Sequence, residues 1–301
     1  MKINFQRILC ATDLSNFSNS AIMQAIWMAR TFDAKLYICH VIDLPMVTMH
    51  GAAYVYQEDQ IAEMKSGAMD QIQNLAAGCD LEWESIVDTG PVSSTLCRLA
   101  IEKQADLTIV ATHGRTGLKR LFLGSVTERL LRTIDSPLLV VTPPEKPAAV
   151  EIPSNEYGFN HILVGCDFSK DSGRAVQFGI SLAQEFEATI HLVHVVEPFV
   201  YRDTMRREPA KAEEINELKT GCRQRIEDLV PEGADAWCKV LIVCEAGKPF
   251  QTLIAYAEAN SVDLIVLGVR GHSLVETLLL GSTTDRVIRG VACPVLSVSP
   301  P

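Results

Sequence analysis

The stretch Arg7-Ile-Leu-Cys-Ala-Thr-Asp-Leu14 returns farther along the chain as His161-Ile-Leu-Val-Gly-Cys-Asp-Phe168. Each stretch is a short run of strand-forming residues followed by an aspartate. Asp13 and Asp167 lie 154 residues apart (167 − 13). A repeat of this length marks a duplicated domain and not a solenoid unit, so residues kept in both copies can be compared with each other.

The correspondence between the two copies extends over the whole chain. His40 and His194 keep the separation of 154 residues, whereas Gly114 and Gly271 are 157 residues apart (271 − 114). The change predicts a net insertion of three residues between 195 and 247. Half of the 301 residues is about 150, a usual size for one domain, so each copy can bury its own core.

Composition and charge exclude several classes of partner. The net charge of −10 and the pI of about 5.2 argue against nucleic acid and anionic membranes, which need a basic face. The first residues do not read as a signal peptide, and no apolar stretch approaches the ~20 residues of a membrane helix. The nine scattered cysteines lack a C-x-x-C pair. We interpret them as buried thiols in the cytoplasm, with a zinc site or a redox pair as the alternative.

Strand-like runs alternate with amphipathic helical runs in both halves. The predicted strands are 7–11, 35–41, 82–87, 107–111 and 138–142, then 161–165, 189–195, 239–244, 264–268 and 295–298. The predicted helices include 18–32, 93–104 and 125–134, then 172–186, 250–260 and 283–289. Such alternation indicates parallel strands joined by right-handed crossovers. The expected fold class is therefore α/β, with two doubly wound domains of five parallel strands and four helices each.

A proline-rich segment separates the two predicted domains. We expect the first domain at 1–143, a linker at 144–160 and the second domain at 161–301. The regions 43–62 and 197–216 are the least periodic and differ most between the copies. They are expected to be long loops, helical in part, over the top of each sheet.

A frame of glycines follows the fourth strand of each half. In the second half the strand ends at Gly268, Gly271 follows, and Gly281-Ser282-Thr283 opens a helix nine residues later. A glycine at a strand end permits close approach of a ligand, and a helix N-terminus offers free N–H groups and a positive dipole to phosphate. The site lies at the carboxyl ends of parallel strands, where open α/β sheets bind ligands.

The two aspartates after the first strands have two readings. Asp13 and Asp167 can accept hydrogen bonds from ribose hydroxyls in the same crevice. Alternatively, they cap the turn or helix that follows. His40 and His194 are interpreted as residues that orient the backbone and not as metal ligands. Asp106 and Asp263, which precede the fourth strands, are interpreted as turn residues.

The spacing Gly-x2-Gly-x9-Gly-Ser/Thr, the early aspartate and the His-Val pair after strand 2 resemble the universal stress protein family, in its tandem two-domain form. The resemblance implies a Rossmann-like parallel sheet ordered 3-2-1-4-5. In one branch of the family it implies ATP binding, with any accompanying Mg²⁺ held through the phosphates. The positions that match nucleotide contacts, together with the residues that open the helix, are Thr12, Asp13, Val41, Gly114, Gly124, Ser125 and Val126 in the first half and Cys166, Asp167, Val195, Gly268, Gly271, Gly281, Ser282 and Thr283 in the second. His113 and Arg270 occupy the first turn of the frame and either contact phosphate or are solvated loop residues.

One departure from the family pattern distinguishes the two halves. The first glycine of the frame is Ala111 in the first half and Gly268 in the second. A methyl group at this point is expected to crowd the ligand. The sequence therefore predicts tighter ATP binding in the second half.

Three classes of function remain open at this stage. The first is a nucleotide-binding stress-response protein that acts through conformation or partners, with little or no catalysis. The second is an interaction module whose pocket is vestigial or holds another small ligand. The third is a slow ATPase, or a nucleotidyl- or phosphoryl-transfer enzyme. The G-x-x-x-x-G-K-[ST] phosphate loop is absent from the sequence, and no catalytic residue or metal ligand is assigned.

The fifth strand of each half is short, apolar and preceded by a proline, at Pro137 and Pro294. An exposed apolar edge strand promotes aggregation unless it is paired or covered. We therefore expect the two edges to meet within the chain as a pseudo-dimer, as the family resemblance also implies. A homodimer through other faces is a further option.

Overall fold

The computed structural model describes residues 3–44, 47–49, 52–54, 56–112, 123–143, 158–197, 199–202, 206–209, 211–269 and 281–299. The chain divides into two compact units. One is Asn4–Tyr157, here called the first repeat, and the other is Gly158–Pro301 together with Met1–Ile3, here called the second repeat. Residues 144–157 of the predicted linker lie outside the described residues, and the meeting of the two strand-5 edges stays a prediction.

The first repeat is a parallel sheet with helices between its strands. Its elements are β1 (Arg7–Ala11), α1 (Asn19–Phe32), β2 (Lys35–Ile42), β3 (Val47–Met49), β4 (Ala52–Tyr54), α2 (Glu58–Leu75), β5 (Trp83–Thr89), α3 (Val92–Glu102), β6 (Leu107–Ala111), α4 (Ser125–Thr133) and β7 (Leu138–Val141). Five of these strands form one parallel sheet in the order β5-β2-β1-β6-β7, and β3 and β4 form a separate hairpin. The first strand therefore lies at the centre of the sheet.

The second repeat has the same plan. Its elements are β8 (His161–Gly165), α5 (Lys170–Glu185), β9 (Thr189–Val196), β10 (Phe199–Arg202), β11 (Arg206–Pro209), α6 (Ala212–Glu227), β12 (Val240–Ala246), α7 (Pro249–Ala259), β13 (Leu264–Gly268), α8 (Ser282–Gly290) and β14 (Val295–Val298). Its parallel strands follow the order β12-β9-β8-β13-β14. The α/β class with parallel sheets, predicted from the alternation of elements, is confirmed.

Burial explains why these segments form these elements. Strands β6 and β13 are buried along nearly their whole length, as expected for apolar parallel strands covered on both faces. The apolar stripe of α1 at Ile22, Ala25 and Ile26 is fully buried against the sheet. No described helix has both the length and the apolar composition needed to cross a membrane.

The central strand of each repeat is tied to its neighbour by an aspartate. The carboxylate of Asp106 accepts from the backbone N–H groups of Gln6 at 2.8 Å and Arg7 at 3.1 Å. Asp263 does the same for Asn160 and His161, at 2.7 and 3.1 Å. Burial raises the pKa of both carboxyl groups, although the N–H donors oppose the rise. Asp106 and Asp263 thus anchor the strand start beside them, a role that exceeds the predicted one of turn residues.

The regions 43–62 and 197–216 are helical in part, as predicted, but they also contain short strands that were not predicted. Each region contains an antiparallel pair of short strands, β3 with β4 and β10 with β11, and then the start of a helix. The helices α2 and α6 are polar, and each has two buried residues, Ala68 and Ile72 in α2 and Cys222 and Ile226 in α6. So few apolar positions give a weak helical period in the sequence.

The buried residues of these two helices also locate the insertion. Ile72 and Ile226 still differ by 154 (226 − 72), so the three extra residues lie between Ile226 and Gly247. This stretch of the second repeat contains a short 3₁₀ turn at Ala234–Ala236. The insertion lengthens a loop outside the sheet and leaves the strand register intact.

Candidate functional site

A cavity of about 260 Å³ lies in the first repeat at the carboxyl ends of the central strands. Its walls come from the ends of β1, β2 and β6, from α3 and from the N-terminus of α4. The lining residues are Ala11, Thr12, Asp13, Ser18, Cys39, Val41, Val92, Leu96, Val110, Ala111, Thr112, Gly124, Ser125, Val126 and Thr127. The structure thus brings together the predicted contacts Thr12, Asp13, Val41, Gly124, Ser125 and Val126.

The chain after β1 is held in place by β2. The Thr12 N–H donates to the Cys39 carbonyl at 2.9 Å, and the His40 Nδ1 lies 2.9 Å from the Thr12 carbonyl oxygen. Because a carbonyl can only accept, His40 Nδ1 carries the proton. His194 Nδ1 donates in the same way to the Cys166 carbonyl at 2.7 Å, and burial lowers the pKa of His194. The prediction that these histidines orient the backbone is confirmed.

Both aspartates form turns with the serine two residues later. Asp13 Oδ1 accepts from the Ser15 N–H at 3.1 Å and the Ser15 hydroxyl at 2.6 Å. Asp167 Oδ1 accepts from the Ser169 N–H at 3.0 Å. The capping reading is therefore correct for both residues. It does not displace the ligand reading for Asp13, whose side chain also lines the cavity.

The N-terminus of α4 is fastened to the end of β6 by two hydrogen bonds. The Gly124 N–H donates to the Thr112 carbonyl at 2.9 Å, and the Thr127 hydroxyl donates to the Ala111 carbonyl at 2.9 Å. No side chain in the described part of the chain caps α4, whose first turn opens on the cavity. Its N–H groups and the positive end of its dipole form an anion-binding feature on the wall of the cavity.

Threonine at the third helical position was missed by reasoning from the sequence. Thr284 of the second repeat donates to the Gly268 carbonyl at 2.8 Å, as Thr127 does to Ala111. The two threonines are 157 residues apart (284 − 127), the same separation as the glycines of the frame. Their repetition was the available signal. His113, Gly114, Arg270 and Gly271 lie outside the described residues.

The end of the fourth strand of the second repeat packs against a helix. A Cβ placed on Gly268 would lie 2.7 Å from the Cβ of Asp171 and 2.9 Å from the backbone nitrogen of Ser172. Both atoms belong to the first turn of α5, so Gly268 allows a helix to pack on the strand end. The absence of a side chain at Gly268 thus gives room to α5, and tighter ATP binding in the second repeat stays a prediction.

Five of the nine cysteines are buried, as predicted, and the other four are partly exposed. All nine are free thiols, and burial raises the pKa of several, including Cys39 and Cys166. Within the described ranges, no group of three or more His, Cys, Asp or Glu residues is placed to hold a metal ion.

The sequence profile described as the universal stress protein family matches residues 4–142 and 158–299. The chain belongs to this family. The match falls once on each repeat, so the chain is a tandem universal stress protein, and its family supports a role in the stress response.

Relatives of known sequence and structure agree with this membership. A universal stress protein of Mycolicibacterium smegmatis is 26% identical over 304 residues, covering 97% of either chain. One from Methanocaldococcus jannaschii is 31% identical over 144 residues, covering 47% of this chain and 85% of that protein. The crystal structure of a universal stress protein from Archaeoglobus fulgidus superposes with a TM-score of 0.70 at 22% identity, covering 97% of this chain and 96% of that one. The last similarity shows the fold.

The cavity of this universal stress protein combines three kinds of surface. Val41, Val92 and Leu96 give it apolar walls, Thr12 and Asp13 give it hydroxyl and carboxylate oxygens, and α4 gives it a helix N-terminus. This set suits a ligand with a flat apolar part, hydroxyl groups and an anionic end.

Proposed function

We propose that this universal stress protein binds an adenine nucleotide, ATP, in the cavity of the first repeat and acts in the stress response through ligand-dependent conformation or partners. The observation that carries the proposal is the continuous cavity of about 260 Å³ between Asp13 and the N-terminus of α4. The proposed contacts are Thr12, Asp13, Val41, Gly124, Ser125 and Val126.

Each part of the nucleotide has a matching part of the cavity. The base would lie against Val41, Val92 and Leu96, because apolar walls suit a π-face. The ribose hydroxyls would donate to the carboxylate of Asp13. The phosphates would lie at the first turn of α4, where the helix dipole favours negative charge. Any Mg²⁺ would be held through the phosphates.

The same cavity is poorly equipped for chemistry on the phosphates. Phosphoryl transfer needs positive charge at the reacting group from Lys, Arg or a metal ion. Among the described lining residues there is no Lys or Arg. The proposal is therefore binding with little or no hydrolysis.

The decisive experiment places a negative charge at the proposed phosphate position. Ser125 is exposed and stands at the first position of α4, so Ser125→Glu changes the charge without filling the core. An acidic residue at a helix start stabilises the helix by about 0.3–1 kcal/mol, so the variant is expected to fold. Its effect on folding and its effect on binding are therefore opposite in sign.

The expected loss of affinity follows from Coulomb's law. A carboxylate about 5 Å from one phosphate charge costs roughly 0.8 kcal/mol at the dielectric constant of water. Summed over the roughly three charges of ATP, this is about 2 kcal/mol, or about 10- to 30-fold in Kd.

The matched control is Ser66→Glu, the same substitution at an exposed position of α2 in the same repeat. Calorimetric titration with ATP should show weaker binding for Ser125→Glu and unchanged binding for Ser66→Glu. Equal affinity of the wild type and Ser125→Glu, or failure of the wild type to bind any adenine nucleotide, would refute the proposal.

A further inference from the structure

We infer that the protein forms a homodimer in which the β12 strands of two copies pair antiparallel about a twofold axis at Ile242. Strand β12 stands at one end of the strand order of the second repeat, and among the described residues it pairs with β9 alone. A strand with a free edge is a template for pairing with another chain. The pairing does not depend on a bound nucleotide.

The hydrogen bonds to β9 show which backbone groups of β12 point to the free edge. The Lys239 carbonyl accepts from the Ile190 N–H at 2.8 Å, and the Gly247 N–H donates to the Val196 carbonyl at 3.0 Å. The direction of the backbone groups alternates along a strand, so the odd-numbered residues of β12 face β9. The even-numbered residues therefore direct their N–H and carbonyl groups away from the sheet.

Two cationic side chains of α6 reach this edge. Arg223 donates to the Ile242 carbonyl at 3.4 Å, as expected for a carbonyl that points outward, and Lys219 Nζ lies 3.4 Å from the Glu245 carboxylate. Both contacts are longer than the usual N–H···O distance of about 2.9–3.0 Å, and both cations are partly exposed. Surface contacts of this kind contribute little to stability. A second strand can therefore exchange them for backbone hydrogen bonds.

The side chains of β12 suit an interface. The run Val240–Cys244 is apolar and only half-buried, whereas most of the neighbouring β9 is buried. Trp237, which comes shortly before the strand, is 60% exposed. Apolar and aromatic side chains at a strand edge favour pairing with another strand, and aromatic residues are enriched at protein interfaces.

The charges at the two ends of β12 select one register. Antiparallel pairing about Ile242 places Lys239 of one copy opposite Glu245 of the other, and both side chains are exposed in the single chain. The twofold axis repeats this ion pair at the other end of the interface. A shift of the axis by one residue would instead place Glu245 opposite Leu241 or Trp237.

The same register also satisfies the backbone. Ile242 meets the Ile242 of the second copy, and Val240 meets Cys244, so outward-facing residues lie opposite outward-facing residues. Each such pair exchanges two hydrogen bonds in an antiparallel ladder, so about six bonds would form. Charge and backbone direction thus agree on one arrangement.

The duplication supplies a comparison. Strand β5 has the same place in the first repeat as β12 in the second, and Glu82 and Asp88 occupy the positions of Lys239 and Glu245. Self-pairing of β5 in the equivalent register would place two carboxylates opposite each other, and like charges in that position destabilise a strand pair. The edge that fits a second copy is therefore that of β12.

The test measures the mass of the full-length protein by sedimentation velocity over a series of concentrations. We expect the wild type to approach twice the chain mass of 33.1 kDa as the concentration rises. Lys239→Glu and Glu245→Lys each place like charges opposite each other, so each should weaken the dimer by roughly 10- to 30-fold. In an equal mixture the two variants restore both ion pairs, and the dimer should return.

Two further variants complete the test. Glu258→Lys makes the same charge change at an exposed position of α7 and should leave the dimer unchanged. Ile242→Pro removes an outward-facing N–H and leaves the bonds to β9, so this variant should keep its circular dichroism spectrum and lose the dimer.

Three results would overturn the inference. The first is a wild type that keeps the mass of one chain at every concentration. The second is a dimer that the substitutions at Lys239, Glu245 and Ile242 do not weaken, since another surface would then hold it. The third is an equal mixture of the two charge variants that stays monomeric, because this would exclude the register.

Discussion

Replacing Thr127 by valine would test the attachment of α4 to the sheet. The Thr127 hydroxyl donates to the Ala111 carbonyl at 2.9 Å, and the side chain is 4% exposed. Valine keeps the branched shape and removes the donor, so the change isolates one hydrogen bond. The bond joins the helix end proposed to hold phosphate to the strand end that lines the cavity.

The size of the effect follows from the burial of the two partners. A buried acceptor left without its donor costs about 1–3 kcal/mol. Ala111 is half-buried and lies on the cavity, where water can reach its carbonyl group, so we expect the lower part of this range, about 1–2 kcal/mol of unfolding free energy. A loss of about 1 kcal/mol in the positioning of α4 would also weaken ATP binding by about fivefold.

The duplication supplies the control for this prediction. Thr284→Val removes the equivalent bond to Gly268 in the second repeat. Urea unfolding should show a similar loss of stability for both variants, and ATP titration should show weaker binding for Thr127→Val alone. If Thr127→Val unfolds at the wild-type urea concentration, or if Thr284→Val weakens binding as strongly, the assigned role of the bond is refuted.

Three further outcomes follow from groups already described. Burial lowers the pKa of His191 and His194, so the unfolded chain binds more protons than the folded chain below about pH 6.5. The free energy of unfolding should therefore fall as the pH drops from 7.5 to 5, and a urea midpoint that stays constant over this interval would contradict the prediction. The raised pKa of Asp106 and Asp263 has the opposite effect, because the folded chain then binds more protons than the unfolded chain and gains stability as the pH falls. Carboxyl groups titrate at lower pH than histidine, so the interval ends at pH 5. Asp263→Ala should cost the second repeat about 1–3 kcal/mol, because it leaves the N–H groups at the start of β8 without their acceptor; urea unfolding with no such loss would show that water replaces it. Steady-state ATP hydrolysis should lie far below the ~1–100 s⁻¹ of kinases, and a rate in that range after removal of contaminating ATPases would favour an enzyme.

Periodicity and repetition were sufficient to predict the fold and the position of the cavity in the first repeat. The strand before Asp13 and the helix after Gly124 were placed correctly, because the strand is a continuous apolar run that is repeated in the second half and the helix is strongly amphipathic. The polar helix α2 and the hairpin before it were not assigned, because neither contributes a clear apolar stripe.

The meaning of individual glycines could not be read from the sequence. A glycine at a strand end accommodates either a ligand or a neighbouring helix, and Gly268 serves the second purpose. The difference depends on whether a helix lies against the glycine, as Asp171 and Ser172 of α5 do at Gly268. Such a difference depends on contacts between elements distant in sequence.

The anchoring of the central strand has a consequence for synthesis of the chain. Strand β1 pairs with β6, and its start is fastened by Asp106, about a hundred residues later. At roughly 5–20 residues per second, the apolar strand waits about 5–20 s on the ribosome before its second neighbour is made. The first repeat can then close while the second is still being translated, so the duplication divides one long folding problem into two shorter ones that follow each other in time.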